Sequence, residues 1–250
     1  MSGVRPSHDA PIYNRMLNLI TTYYNNRTLL SRFIEKNYLP LKEVFPTMKL
    51  IVVDDGSLIE PAYDAVKVYD DPDILLYRIP VDYGFNSHGA RNLAMHVTDS
   101  DWNLLLDLDV IIEPEFTQSA LKLMKSVPDE MTAYYCPIVY DIRGFVVPAL
   151  RLINHFIINK KLFWSVNGYD EEYRGYNFGD GDFTESIASV GNVNLSMGLK
   201  IDIIDAYNFR PEDRLHRTEF IEIEKVVRKR MMNKEFHTKK VLNFEWIRQI

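Results

Sequence analysis

A single cysteine, Cys136, stands in 250 residues. No intramolecular disulfide can form, and such a chain suits a reducing, cytoplasmic setting. No apolar run approaches the roughly 20 residues that a membrane-spanning helix needs, and the opening MSGVRPSHDAP lacks the apolar stretch of a signal peptide. Positive charge is not in excess either: 29 Lys and Arg stand against 35 Asp and Glu, a net charge of −6. That balance argues against nucleic acid as a partner. Internal repeats, low-complexity tracts and linkers are missing as well, so residues 1–250 are expected to form one domain. The remainder is ordinary for a globular protein, 46% hydrophobic and 26% charged, with ample length for a full core.

Against that background one stretch stands out. Trp102 to Pro114, WNLLLDLDVIIEP, is an apolar run broken by Asp107 and Asp109 with Leu108 between them. In an extended backbone alternate side chains share a face, which would set the two carboxylates side by side and turn Leu108 to the core. Two like charges so placed need a cation. Paired hard oxygen ligands suit Mg²⁺ or Mn²⁺ carrying a substrate's phosphates.

Taken in order, the chain alternates strand and helix signals. Strands are expected at Met16 to Thr22, Lys49 to Ser57, Ile74 to Pro80, Thr132 to Tyr140 and Phe156 to Val166, with one or two more between Asn192 and Tyr207. Helices are expected at Arg27 to Tyr38, Asn86 to Val97, Pro114 to Ser126, about Asp182 to Val190, and Thr218 to Lys240. Ser57 and Glu60 have the spacing of a capping box. This alternation predicts an α/β fold with a mostly parallel sheet flanked by helices. Ligands of such sheets bind beyond the carboxyl ends of the strands, and the polar clusters YYNN, DDGS and DLD all fall at such ends.

The ordered series VVDDGS, GARN, DLD, NGYDE and GDGDF resembles the GT-A fold glycosyltransferases, chiefly those of family 2, over roughly Leu17 to His216. A lone DxD is common by chance; the succession is specific. The resemblance implies a nucleotide-diphospho-sugar transferase, with a donor-binding half at about 12–113, an acceptor-binding half at about 114–216 and a helical extension at about 217–250. It implies a UDP-sugar donor and a hydroxyl acceptor on a glycan, glycolipid or protein. Thr21 and Asp55 then meet the nucleotide, with Asp54 supporting the turn. Arg91 and Asn92 shape the donor pocket. Of the DxD pair, Asp109 ligates a divalent metal directly, while Asp107 reaches the ribose or the metal's water shell. Asp180 matches the general base, and Gly179 departs from the pattern, since many relatives carry a glutamate there; Asp182 is therefore the rival base. His216, in RPEDRLHR, matches a third metal ligand or is a plain surface histidine.

The residue chemistry leaves other assignments open. Tyr169, Tyr173, Tyr176 and Phe178 surround the GDGDF carboxylates, as aromatic rings do where they stack on sugar C–H faces. Trp164 suits the same role or a place in the core. Lys225, Arg228, Lys229 and Arg230 form a solvated helix face or a contact for anionic lipid headgroups. Single displacement with Asp180 or Asp182 as base inverts the anomeric centre. The rival enzyme class is a haloacid-dehalogenase-type phosphatase, and the non-enzymatic rival is a sugar-binding protein on the same fold.

Overall fold

Alternation of apolar residues along the strands decides which layers form. A computed structural model of the chain describes residues 17–84, 86–138, 154–173, 179–203 and 240–250. Strands β1 (Leu17–Tyr23), β2 (Leu50–Asp55), β3 (Ile74–Ile79) and β4 (Trp102–Leu105) lie parallel in the order β3-β2-β1-β4. Leu19, Leu50, Val52 and Leu104 point to one face, while Ile20, Ile51, Val53 and Leu105 point to the other. Both faces are therefore apolar, and both must be covered.

Helix α1 (Arg27–Phe33) runs through a π turn at Ile34–Tyr38 into α2 (Leu39–Val44), and with α5 (Phe116–Lys125) it covers the first face through Leu30, Phe33, Leu41 and Phe116. Helix α4 (Ser87–Val97), α6 (Lys160–Ser165) and α7 (Gly179–Val190) cover the second through Ala90, Leu93, Leu162, Phe163, Phe183 and Ile187. A short helix α3 (Tyr63–Val66) lies between β2 and β3.

The sheet extends past β4 through β7 (Phe156–Asn159), β6 (Thr132–Tyr135) and β8 (Asn192–Leu195). Strand β7 is antiparallel to both of its neighbours, and β8 is parallel to β6. On the far edge, β10 (Ile247–Arg248) pairs antiparallel with β3, giving eight strands among the described residues. A small second sheet joins β5 (Val110–Ile112) to β9 (Ile201–Ile203). No helix among the described residues is long and apolar enough to cross a membrane.

The architecture agrees with the expected α/β layering, and four local expectations are corrected. Strand β4 ends at Leu105, so Asp107, Leu108 and Asp109 lie in a turn rather than an extended segment, closed by Val110 N donating to the Asp107 carbonyl at 3.4 Å. Leu108 still packs on the core. The expected strand from Phe156 to Val166 stops at Asn159, whose side chain accepts from Lys161 N at 2.9 Å and caps α6. Ser57 and Glu60 form no capping box. Glu60 instead accepts from the backbone of Arg27 at the start of α1, and Ser57 Oγ accepts from Asn25 N. Finally, residues 240–250 form an edge strand and its approach, not a helix.

Candidate active site

Because β2, β1 and β4 are adjacent, their carboxyl ends bring DDGS, YYNN and DLD to one crevice. The first two loops are stitched together by Asn25, whose side-chain oxygen accepts from Ile59 N and Glu60 N, both at 3.0 Å. Asp54 spends both carboxylate oxygens on its own loop, on Ser57 N at 2.8 Å and Ala62 N at 2.9 Å. These bonds hold the turn after β2. Gly56 completes that turn at φ +75°, with the backbone of Val81 and Asp82 against it.

Asp55 ends β2 and Thr21 stands near the end of β1 opposite Val52, and both are buried. One Asp55 oxygen takes the backbone N–H of Asn86 at 2.7 Å, which ties β2 to the start of α4. The other oxygen and the Thr21 hydroxyl have no hydrogen-bond partner among the described residues. Unsatisfied buried polar atoms are rare in folded proteins, and each of these is open to a polar ligand. Burial pushes the Asp55 carboxyl up to about 7; hydrogen bonds from Asn86 oppose this, and Asp82 and Asp54 add to it.

Arg91, in the middle of α4, is the hub of the charged cluster. One of its terminal nitrogens donates to Asp107 and the other to Asp180, each at 2.5 Å. Its guanidinium lies 5.4 Å over the Tyr169 ring, which is itself stacked on Phe183. Burial alone would weaken Arg91's hold on its proton, but the two carboxylates outweigh that and keep it cationic. Burial likewise would raise Asp107, yet Arg91 and His155 hold it well below the ordinary carboxylate range. Asp180 is lowered in the same way, against burial, by Arg91 and then His88.

The turn that carries Asp107 is held from three sides. Asn37, buried in the π turn, donates to the Val110 carbonyl at 2.8 Å and accepts from Ile112 N at 2.9 Å. Asn154 donates to Asp107 at 2.5 Å, and the His155 Nε2 lies 3.2 Å from the same oxygen. Both His155 ring nitrogens are otherwise without hydrogen-bond partners among the described residues.

Asn92 belongs to the scaffold of this site. Its side chain accepts from Tyr169 N at 2.8 Å and donates to the Tyr169 carbonyl and to Glu171, pinning the NGYDE loop on α4. Asp180 and Asp182 both fall in the first turn of α7. Two residues along a helix are on different sides, so Asp182, though buried, does not share Asp180's approach to Arg91. Trp164 packs edge-on against Phe163 at 4.9 Å on the margin of the second core cluster. Tyr169 is fully buried, Asp109 is partly exposed, and Tyr176, Phe178, His216 and the basic segment from 218 to 239 lie outside the described residues.

Reading the sequence missed His88, Asn154 and His155. His88 was legible, since it precedes Arg91 by three residues and so shares its helix face. Asn154 and His155 carry no local signal, because only the antiparallel pairing of β7 on β4 brings them to Asp107.

Solved structures of similar fold include S. aureus TarS residues 1–349, alone and in complex with UDP-GlcNAc. These match at 18% and 17% identity with TM-scores of 0.64 and 0.68, over 87% of this chain and 66% and 67% of theirs. A mannosyltransferase from Pyrobaculum calidifontis in complex with GDP-Man and Mn²⁺ matches at 14% identity with a TM-score of 0.56, over 77% of this chain and 58% of its own. This chain thus spans about two thirds or less of those proteins, and at these identities the likeness is one of fold. No curated protein matches the sequence significantly. The family model described as glycosyl transferase family 2 matches residues 19–180, the stretch that carries Thr21, Asp55, Arg91, Asp107 and Asp180, and the chain belongs to that family.

Proposed function

We propose that the chain transfers a sugar from a nucleotide-diphospho-sugar, a UDP-sugar, to a hydroxyl acceptor with inversion at the anomeric carbon. The observation that carries this reading is Arg91, which holds Asp107 and Asp180 on opposite sides of one buried cation at the carboxyl ends of β1 and β4. A site for leaving-group charge thereby stands next to a carboxylate able to serve an acceptor. The nucleotide sugars named in the two similar structures, UDP-GlcNAc and GDP-Man, support the donor class.

Thr21 Oγ1 and Asp55 Oδ1 bind the nucleotide, each gaining the partner it lacks. Asp180 takes the acceptor's proton as the hydroxyl attacks, and Arg91 restrains the carboxylate in place. As the bond to phosphate breaks, negative charge grows on the diphosphate near Asp107, where Arg91 is already poised to offset it. The half at about 12–113 holds the donor and that at about 114–216 the acceptor.

Asp107 and Asp109 are the hard oxygen donors that Mn²⁺ or Mg²⁺ prefers, and such ions keep waters and substrate phosphates in their shell. Asp107 has both oxygens engaged by Arg91, Asn154 and His155, so it suits the water shell, and Asp109 suits direct ligation. Among the described residues no three His, Cys, Asp or Glu side chains converge as a cage; donor phosphates, water and His216, which lies outside them, would complete the coordination. When bound, the ion supplies Lewis-acid neutralisation of the leaving diphosphate.

The test is a thermal-shift screen of nucleotide sugars with and without Mn²⁺, followed by transfer assays on Asp180→Asn. A UDP-sugar is expected to raise the melting temperature, with Asp180→Asn binding the donor yet not transferring. Stabilisation by no nucleotide sugar would overturn the reading.

A further inference from the structure

Asp180 is an unusual base, because the cation beside it makes its carboxylate a weak proton acceptor. An imidazole, that of His88, stands behind it. The His88 Nδ1 lies 2.8 Å from the Tyr173 carbonyl, which can only accept, so that nitrogen carries the hydrogen, and in the neutral tautomer Nε2 has the lone pair. Nε2 is buried, has no hydrogen-bond partner among the described residues, and lies 3.8 Å from Asp180 Oδ1. It has room there because of Gly179. A β-carbon at that position would collide with Nε2 and Cε1 of the imidazole, so the ring fills the space that any larger residue at 179 would take.

We propose that His88 is a positioning residue that serves as the proton reservoir behind Asp180, with Gly179 as the small residue that admits it. This deepens the proposed function and rests on Asp180 being the base. In the step, the acceptor O–H bond breaks as the new O–C bond forms at the anomeric carbon. The old C–O bond to phosphate breaks, and its electron pair leaves with the nucleoside diphosphate. The proton passes to Asp180 and on to Nε2, leaving an imidazolium beside a carboxylate, and returns to solvent through Asp180 when products depart. The present separation is about 1 Å beyond hydrogen-bond reach, and such contacts often tighten only once substrate is bound. The groups facing His88 are Asp180 from α7, Arg91 one turn along its own helix, the Tyr169 ring at 5.2 Å and the Tyr173 carbonyl. A carboxylate and a cation of opposite sign thus flank the imidazole.

The reservoir must be empty before each turnover, so activity falls as pH drops and the imidazole fills. His88→Gln, which cannot take up a proton, is expected to lower kcat about 10- to 100-fold with donor KM unchanged. The acid limb of its pH profile is expected to differ from that of the wild type. If Asp180→Asn still transfers, the base assignment falls and this proposal with it. If Asp180→Asn is inactive but His88→Gln keeps the wild-type kcat and acid limb, the reservoir alone is wrong. Should His88→Gln not fold, imidazole ¹⁵N resonances provide the reading: His88 titrates differently in Asp180→Asn than in the wild type, and identical titrations overturn the proposal.

Discussion

Arg91 shows how one buried charge organises its neighbours. Replacing it by Met leaves Asp107 and Asp180 facing each other with no cation, and breaking a buried pair from one side is costly. With both carboxylates about a quarter exposed, the expected loss is about 2–4 kcal/mol at pH 7, read from urea denaturation. Both carboxyls are depressed in the folded protein, so their stabilisation is present above the ordinary carboxyl value of about 3.9 and is lost as pH falls toward the folded values. Without Arg91 the direction reverses, and the variant should gain stability between pH 7 and pH 5; a variant as stable as wild type across that range would refute the hub. Asp55 is the opposite case. Its folded carboxyl titrates at about 7, so between about 4 and about 7 the folded state holds a proton that the unfolded state has released. Stability therefore falls as pH rises through that window and levels off above it. Asp55→Asn should flatten the slope and stabilise the protein at pH 8 by up to a few kcal/mol, while weakening UDP binding about tenfold or more through the lost acceptor. Calorimetric titration with UDP and urea melts at three pH values check both halves of this expectation.

Among the elements, the two loops after β1 and β2 illustrate why local motifs mislead. Ser57 and Glu60 have the spacing of a self-contained cap, yet Glu60 serves the start of α1 and Ser57 the backbone of Asn25. The donor that each carboxylate or hydroxyl finds depends on which loop the parallel pairing of β1 with β2 lays alongside it. Gly56 is the pivot. Alanine there would adopt a left-handed backbone and meet the Val81 carbonyl and the Asp82 backbone at 2.7 Å. Gly56→Ala should cost about 2 kcal/mol or more, above the 1–2 kcal/mol of the backbone conformation alone, and should weaken nucleotide binding because Asp55 shares the turn. A melting temperature within a degree of wild type would show that the turn yields. The segment from Phe156 to Val166 shows the same limit from another side: its apolar run fits a strand or a helix, and Asn159 divides it by capping α6.

For the molecule as a whole, the last residues tie the sheet edge to the site. Ile247 and Arg248 pair with Arg78 and Tyr77, and Trp246 packs edge-on against Tyr77. Leu242 N donates at 2.7 Å to Glu171 Oε1, the same oxygen that takes Asn92. Removing residues 241–250 should therefore lower the urea midpoint and reduce amide protection at Leu76 and Tyr77. It should also raise the donor KM by loosening the loop that Asn92 and Glu171 hold. Unchanged protection at β3 together with an unchanged KM would sever that link. Chain length alone offered no sign of this arrangement, since antiparallel addition of a two-residue strand needs only a free edge and leaves no periodic pattern.

Much of this protein follows from local chemistry. Continuous apolar runs such as LIVV set the parallel strands, helical spacing set α4 and α5, and the polar ends of three strands pointed to the crevice, while the roles of Thr21, Asp55, Arg91, Asp107 and Asp180 came from the resemblance to family 2 glycosyltransferases. What sequence order could not convey is contact between distant segments. Arg91 meets Asp180 across 89 positions, and His155 meets Asp107 only because β7 turns back along β4. The DLD pair, expected on one face of a strand, sits in a turn whose shape Asn37 holds from the opposite helix. Periodicity records which face of an element is buried; the partner it meets is chosen by chain closure and packing, and so it was the tertiary structure that assembled the carboxylates, the guanidinium and the two histidines into one site.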